Sequence, residues 1–132
     1  MTKEINYLSN YIQLQKIRLG ETVQVKFEIT GNAEEKQIAP LILIPFVENA
    51  FKHGVNPEEN SVIEISIQLH ENELRLYVQN RKVNNIALDE PESKIGLENV
   101  KQRLLLLYPS RHLLHLNNQP DSFSVSLTLV LT

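Results

Sequence analysis

The sequence has no cysteine, which excludes a disulfide framework, a thiolate nucleophile and a cysteine-based zinc site. It has no long hydrophobic run. The longest apolar stretch, 38–47, is too short to span a bilayer and is interrupted by Pro40 and Pro45. It does not stand at the N-terminus, so it is no signal peptide. Positive charge is not in excess either: 13 Lys and Arg face 16 Asp and Glu, for a formal net charge of -3. No global field therefore draws the chain to nucleic acid or anionic lipid, and any phosphate must be held locally. No internal repeat, low-complexity segment or Pro/Gly-rich linker divides the 132 residues, a length that fits one domain with one site. With 42% hydrophobic and 22% charged residues, the composition is that of a soluble globular domain.

What is present falls into helical and strand patterns. Ile5, Leu8, Ile12 and Leu19 recur at near-heptad spacing and predict a helix, with Tyr7, Tyr11, Leu14 and Arg18 as a second stripe available to another partner. The chain opens abruptly into this pattern, as a piece cut from a longer protein would. Gly20 stops the helix, and Val23, Val25, Phe27 and Ile29 alternate with polar residues as a half-buried strand that Gly31-Asn32 ends. A second helix is expected to reach His53 with Gly54 as its left-handed cap, starting at Pro40 or at Pro45. Segments 62–69 and 74–80 read as a hairpin joined through Glu71-Asn72-Glu73. Residues 81–94 lack any period and read as a long polar loop of a length that usually serves a function. Leu97, Val100, Leu104, Leu107 and Tyr108 predict a third helix ended by Pro109, with the 104–107 leucine run as core. Two strands, about 112–118 and 123–131, finish the chain. The expected fold class is α+β: an open two-layer sandwich with a mixed, mostly antiparallel sheet of five strands and the helices on one face.

On a helix at about 100° per residue, 46–53 separates into an apolar arc of Phe46, Val47, Ala50 and Phe51 and a polar arc of Glu48, Asn49, Lys52 and His53. Such an arc is ordinarily solvated, with Lys52 and His53 complementing the helix C-terminus. The same side chains also suit magnesium and a polyphosphate. Asn49 offers a hard oxygen without charge, and Glu48 can orient or deprotonate a nucleophile beside a γ-phosphate. Gly96 is expected at the start of the third helix, where free N–H groups bind phosphate and glycine permits close approach. His112 and His115 are three apart on a predicted strand, so they point to opposite faces and cannot share a metal; they and His70 are read as structural.

The segment Leu43-Ile44-Pro45-Phe46-Val47-Glu48-Asn49-Ala50-Phe51-Lys52-His53-Gly54 resembles the N-box of the GHKL ATPase superfamily, in the form found in sensor histidine kinases of the LytS/YehU type. Tyr11-Ile12-Gln13-Leu14-Gln15-Lys16-Ile17-Arg18-Leu19-Gly20 resembles the helix end that precedes the ATP-binding domain in that family. Gly96-Leu97-Glu98-Asn99-Val100-Lys101-Gln102-Arg103-Leu104, with Leu107-Tyr108-Pro109, resembles its second glycine box and following helix. The resemblance covers nearly the whole chain and implies a Bergerat-type fold. It implies that 1–19 continue from an upstream dimerisation and phosphoacceptor module and that 20–132 form the ATP-binding catalytic domain. It further implies ATP and Mg²⁺ as cofactors, with Asn49 on the metal, Glu48 assisting phosphoryl transfer, and Lys52 and His53 facing the phosphates. Gln79, Asn80, Lys94, Gly96 and Leu97 would line the nucleotide, and 81–94 would be the ATP lid. By the same resemblance the domain is the cytoplasmic part of a homodimeric inner-membrane protein-histidine kinase. It phosphorylates a histidine of the upstream module, which passes the group to a response regulator, and no nucleic acid is involved. The chain alone is not expected to phosphorylate itself.

The sequence departs from the family pattern at the adenine end. The first glycine box has an Asp-Asn-Gly core whose Asp accepts a hydrogen bond from the adenine amino group. Val78-Gln79-Asn80-Arg81 sets Gln79 at the Asp position and Arg81 at the glycine. In the second box, Gly-x-Gly becomes Lys94-Ile95-Gly96. Two further readings follow: a degenerate GHKL fold serving as a binding or scaffolding module with little nucleotide affinity, and a free-standing GHKL kinase acting on a partner, as anti-sigma kinases do.

Overall fold

The computed structural model describes residues 2–20, 23–31, 38, 41–53, 61–81 and 91–131, except for the side chains of Thr2, His53 and 91–96. In chain order it forms α1 (Thr2–Leu19), β1 (Val23–Thr30), α2 (Ile44–His53), β2 (Ser61–His70), β3 (Glu73–Arg81), α3 (Pro91–Leu107), β4 (His112–Asn118) and β5 (Ser122–Val130). The strands make one sheet in the order β1-β2-β3-β5-β4. β1 and β2 are parallel and every other neighbour pair is antiparallel, so the sheet is the mixed, mostly antiparallel one expected. A parallel pair cannot be closed by a tight turn, and the β1 to β2 connection accordingly carries α2.

Strand alternation decides which side is covered. Ile63, Ile65 and Ile67 of β2, Leu74, Leu76 and Val78 of β3, and Val125, Leu127 and Leu129 of β5 are all buried. Against them pack Phe46, Val47, Ala50 and Phe51 of α2, Leu8 and Ile12 of α1, and Val100 and Leu104 of α3. Each such Val, Leu, Ile or Phe side chain contributes roughly 1.5–3 kcal/mol by leaving water. The residues between them, among them Arg75, Tyr77 and Ser126, form an open polar face. Gly31 closes β1 at φ +101°, and a Cβ there would collide with the carbonyl oxygen of Leu69, so only glycine fits. The β2–β3 turn is Glu71-Asn72, one residue shorter than expected, with Glu71 at φ +55°.

Three expectations need correction. α3 opens at Pro91, because a proline in the first turn lacks only an N–H that would be unpaired anyway. Residues 91–94 are therefore helix and Arg81 is strand, and the rest of the expected lid, 82–90, lies outside the described residues. Gly96 is in consequence the sixth residue of α3 rather than its start, where its N–H is taken up inside the helix and not offered to a phosphate. Last, of the 104–107 run only Leu104 is core; Leu105 and Leu106 are 64% and 79% exposed, since successive helix residues turn by about 100°.

Candidate functional site

Pro45 is the second residue of α2, so the helix takes the later of the two expected starts; Pro40 and Gly54 lie outside the described residues. The apolar arc is buried as the periodicity predicts. The polar arc is not uniformly solvated. Lys52 is exposed and Glu48 half-buried, but Asn49 is only 9% exposed. Helical geometry sets Asn49 beside the Phe46–Ala50 edge of the buried arc and Glu48 beside Phe51 on the other edge. His53 is the last residue of α2, and its side chain lies outside the description.

Strand β3 brings a second amide to the covered side. Val78 and Asn80 share a face with the core, and Asn80 is 1% exposed, its Nδ2 donating to the Arg81 carbonyl at 3.1 Å. Gln79, one residue away, must point the other way. It stands on the open face, where the Tyr77 hydroxyl donates to its Oε1 at 2.9 Å. Hence the structure does not bring Gln79 together with Asn49; the amide of β3 on the covered side is Asn80. Arg81 alternates with Gln79 and is exposed, so its side chain also leaves the covered face. Buried polar residues among those described are Glu4, Asn49, Ser61 and Asn80.

Helix α1 reaches the same region. Tyr11, expected in an outward stripe, packs edge-on against Phe51 of α2, with ring centroids 5.6 Å apart at 78°. Burial pushes the Tyr11 hydroxyl above its ordinary pKa, the negative charge of Glu48 adds to this, and Arg18 opposes it. Tyr11 is thus a neighbour of the polar arc that sequence reasoning missed. The remainder of its stripe behaves as expected, with Tyr7 and Leu14 exposed.

On α3, which packs beside α2, Leu97 is partly buried against the core, while the side chain of Lys94 lies outside the description. Among the described residues no group of three or more His, Asp or Glu could cage a metal. A cation at α2 would take the neutral Asn49 oxygen and complete its shell with phosphate oxygens and water. That donor set fits Mg²⁺, which keeps waters and binds through few protein oxygens.

No family model matches the chain. It is 33% identical over 116 residues to the sensor histidine kinase YpdA of Escherichia coli (strain K12), covering 80% of this chain and 20% of that protein. An uncharacterised sensor-like histidine kinase of Staphylococcus epidermidis is 31% identical over 104 residues, 79% of this chain and 19% of its own. The sensor protein kinase HptS of Staphylococcus aureus is 26% identical over 130 residues, 88% of this chain and 24% of its own. The chain thus spans about a fifth to a quarter of the length of these curated relatives. Among solved structures, the catalytic domain of histidine kinase ThkA superposes with a TM-score of 0.68 at 16% identity, covering 99% of this chain and 93% of that one. Full-length ShkA in complex with AMPPNP superposes with a TM-score of 0.64 at 11% identity, covering 98% and 30%. Sequence relatives that are sensor histidine kinases place the chain in one family, and the fold is the one a histidine-kinase catalytic domain has from end to end: the chain belongs to the sensor histidine kinase family.

Proposed function

We propose that the chain binds Mg-ATP and presents its γ-phosphoryl group to a histidine on an upstream module of a two-component sensor kinase. The observation that carries this reading is the pair of buried amides, Asn49 on α2 and Asn80 on β3, on the one face of the sheet that the helices cover. Bound Mg²⁺ would neutralise charge on the phosphates, held from the protein side by the Asn49 oxygen. Asn80 carries both an acceptor and donors on one amide, which suits the adenine amino group and an adjacent ring nitrogen. Lys52, and with it His53 and Lys94 as the family resemblance implies, would supply cationic or donor groups for the phosphates, and Gly96 and Leu97 of α3 would line the nucleotide. Glu48 accepts the proton of the attacking imidazole as the new P–N bond forms, the bond to the bridging oxygen breaks and ADP leaves. The remaining partners of this reading are a homodimeric arrangement and a response regulator. Histidine kinase ThkA has been solved in complex with the response regulator TrrA, at a TM-score of 0.64 to this chain. No helix among the described residues is long and apolar enough to cross a membrane.

Calorimetric titration with a nonhydrolysable ATP analogue, with and without Mg²⁺, tests the reading. Binding that strengthens with Mg²⁺ and falls in Asn49→Ala is expected. No binding under either condition would hand the fold to the scaffolding alternative.

A further inference from the structure

Leu41 lies just ahead of α2 and holds a φ of +60°, a left-handed backbone that a leucine adopts only when its surroundings enforce it. Two helices do so. The Leu41 N–H donates to Glu4 Oε2 of α1 at 3.4 Å, and Arg103 Nη1 of α3 donates to the Leu41 carbonyl at 2.8 Å. Glu4 is 8% exposed, and its other oxygen, Oε1, is buried with no hydrogen-bond partner among the described residues. An apolar side chain would fill that position without the desolvation penalty of a half-satisfied carboxylate. What Glu4 adds is the bond to Leu41.

The spacing shows what that bond aligns. Glu4 meets Leu41 at a separation of 37 residues, and seven residues on, Tyr11 packs on Phe51 beside Glu48. Helices α1 and α2 therefore run side by side in the same direction, tied at points about 10 Å apart along α1.

We propose that Glu4, Leu41 and Arg103 form a clasp that sets α2, with its Glu48 and Asn49, against α1 and α3, so that a shift of α1 displaces the nucleotide-binding helix. Glu4 is a positioning residue that acts through the Leu41 N–H. The consequence for nucleotide rests on the function proposed above; the clasp itself does not.

Amide hydrogen exchange of α2 in the nucleotide-free chain reads the clasp, and titration with Mg²⁺ and a nonhydrolysable ATP analogue reads its consequence. Glu4→Leu fills the space but cannot accept a hydrogen bond, and it should speed α2 exchange and weaken the nucleotide roughly tenfold each. Glu4→Gln keeps an acceptor oxygen and should restore both. Arg103→Ala should also speed α2 exchange, and it decides the matter if Glu4→Leu does not fold. Unchanged exchange in Glu4→Leu, or in Arg103→Ala where that variant must decide, overturns the clasp, as does faster exchange in Glu4→Leu that Glu4→Gln fails to restore. If exchange responds as expected but the unsubstituted chain binds no nucleotide, the clasp stands and the functional reading fails.

Discussion

The two faces of the sheet are made from alternate residues of the same strands, yet only one is covered by helices. On the covered face, Ile65, Leu76 and Val78 meet helices, and the polar exception Asn80 is a buried amide near the end of β3. On the open face, Tyr77 and Gln79 bond to each other and Lys26 lies 3.9 Å from Glu64, exposed contacts of the kind that contribute little to stability. Polarity therefore means different things on the two sides. A polar group on the open face is solvated, whereas one on the covered face is desolvated and can discriminate a ligand.

The sharpest contrast lies within α3. Leu104→Ala should lower unfolding stability by about 2–5 kcal/mol through the cavity it leaves, and Leu106→Ala should stay within about 0.5 kcal/mol, both read from urea denaturation midpoints. Equal losses would mean that α3 does not pack as described. Next in size is the metal end. Asn49→Ala should weaken Mg-nucleotide binding by roughly tenfold or more, about 1.4 kcal/mol upward, while Lys52→Ala on the exposed side has the smaller effect.

Neighbouring residues on β3 test the faces against each other. Asn80→Ala should weaken adenine nucleotide binding roughly tenfold, and Gln79→Ala should leave it level. Asn80→Asp, by turning a neutral acceptor into a charged one, should tighten ATP about tenfold and improve rejection of GTP, whereas Gln79→Asp should do neither. A response at Gln79 with none at Asn80 would reverse the assignment.

The smallest effect concerns Tyr11. Its folded pKa is raised above the ordinary value near 10, so it contributes stability that is present below about pH 10 and lost as pH rises through the raised value. Tyr11→Phe should flatten that alkaline loss. Glu48→Gln removes the neighbouring negative charge and should let Tyr11 ionise at lower pH, read as tyrosinate absorbance against the Tyr11→Phe blank. No change in Glu48→Gln would break the side-by-side placement of α1 and α2.

Much of this molecule was legible from periodicity alone. The alternation of Val23, Val25, Phe27 and Ile29 and the 46–53 arcs arise from local geometry, which repeats every two residues in a strand and every 3.6 in a helix. They placed β1 and the buried side of α2, and the Glu48-Asn49 pair with its motif was sufficient to name the family resemblance. Other features were decided by contacts distant in sequence. Whether Gln79 or Asn80 faces a ligand depends on which side of β3 the helices cover, and a shift of one residue in counting exchanges the two faces. Leucines 104–107 look alike in sequence, but only the one that meets the sheet is core. The left-handed turn at Leu41 carries no glycine to announce it, because it is enforced from Glu4 and Arg103, at separations of 37 and 62 residues. Local pattern determined the elements and their apolar sides; only packing determined which polar groups lost their water, because desolvation is set by contacts distant in sequence.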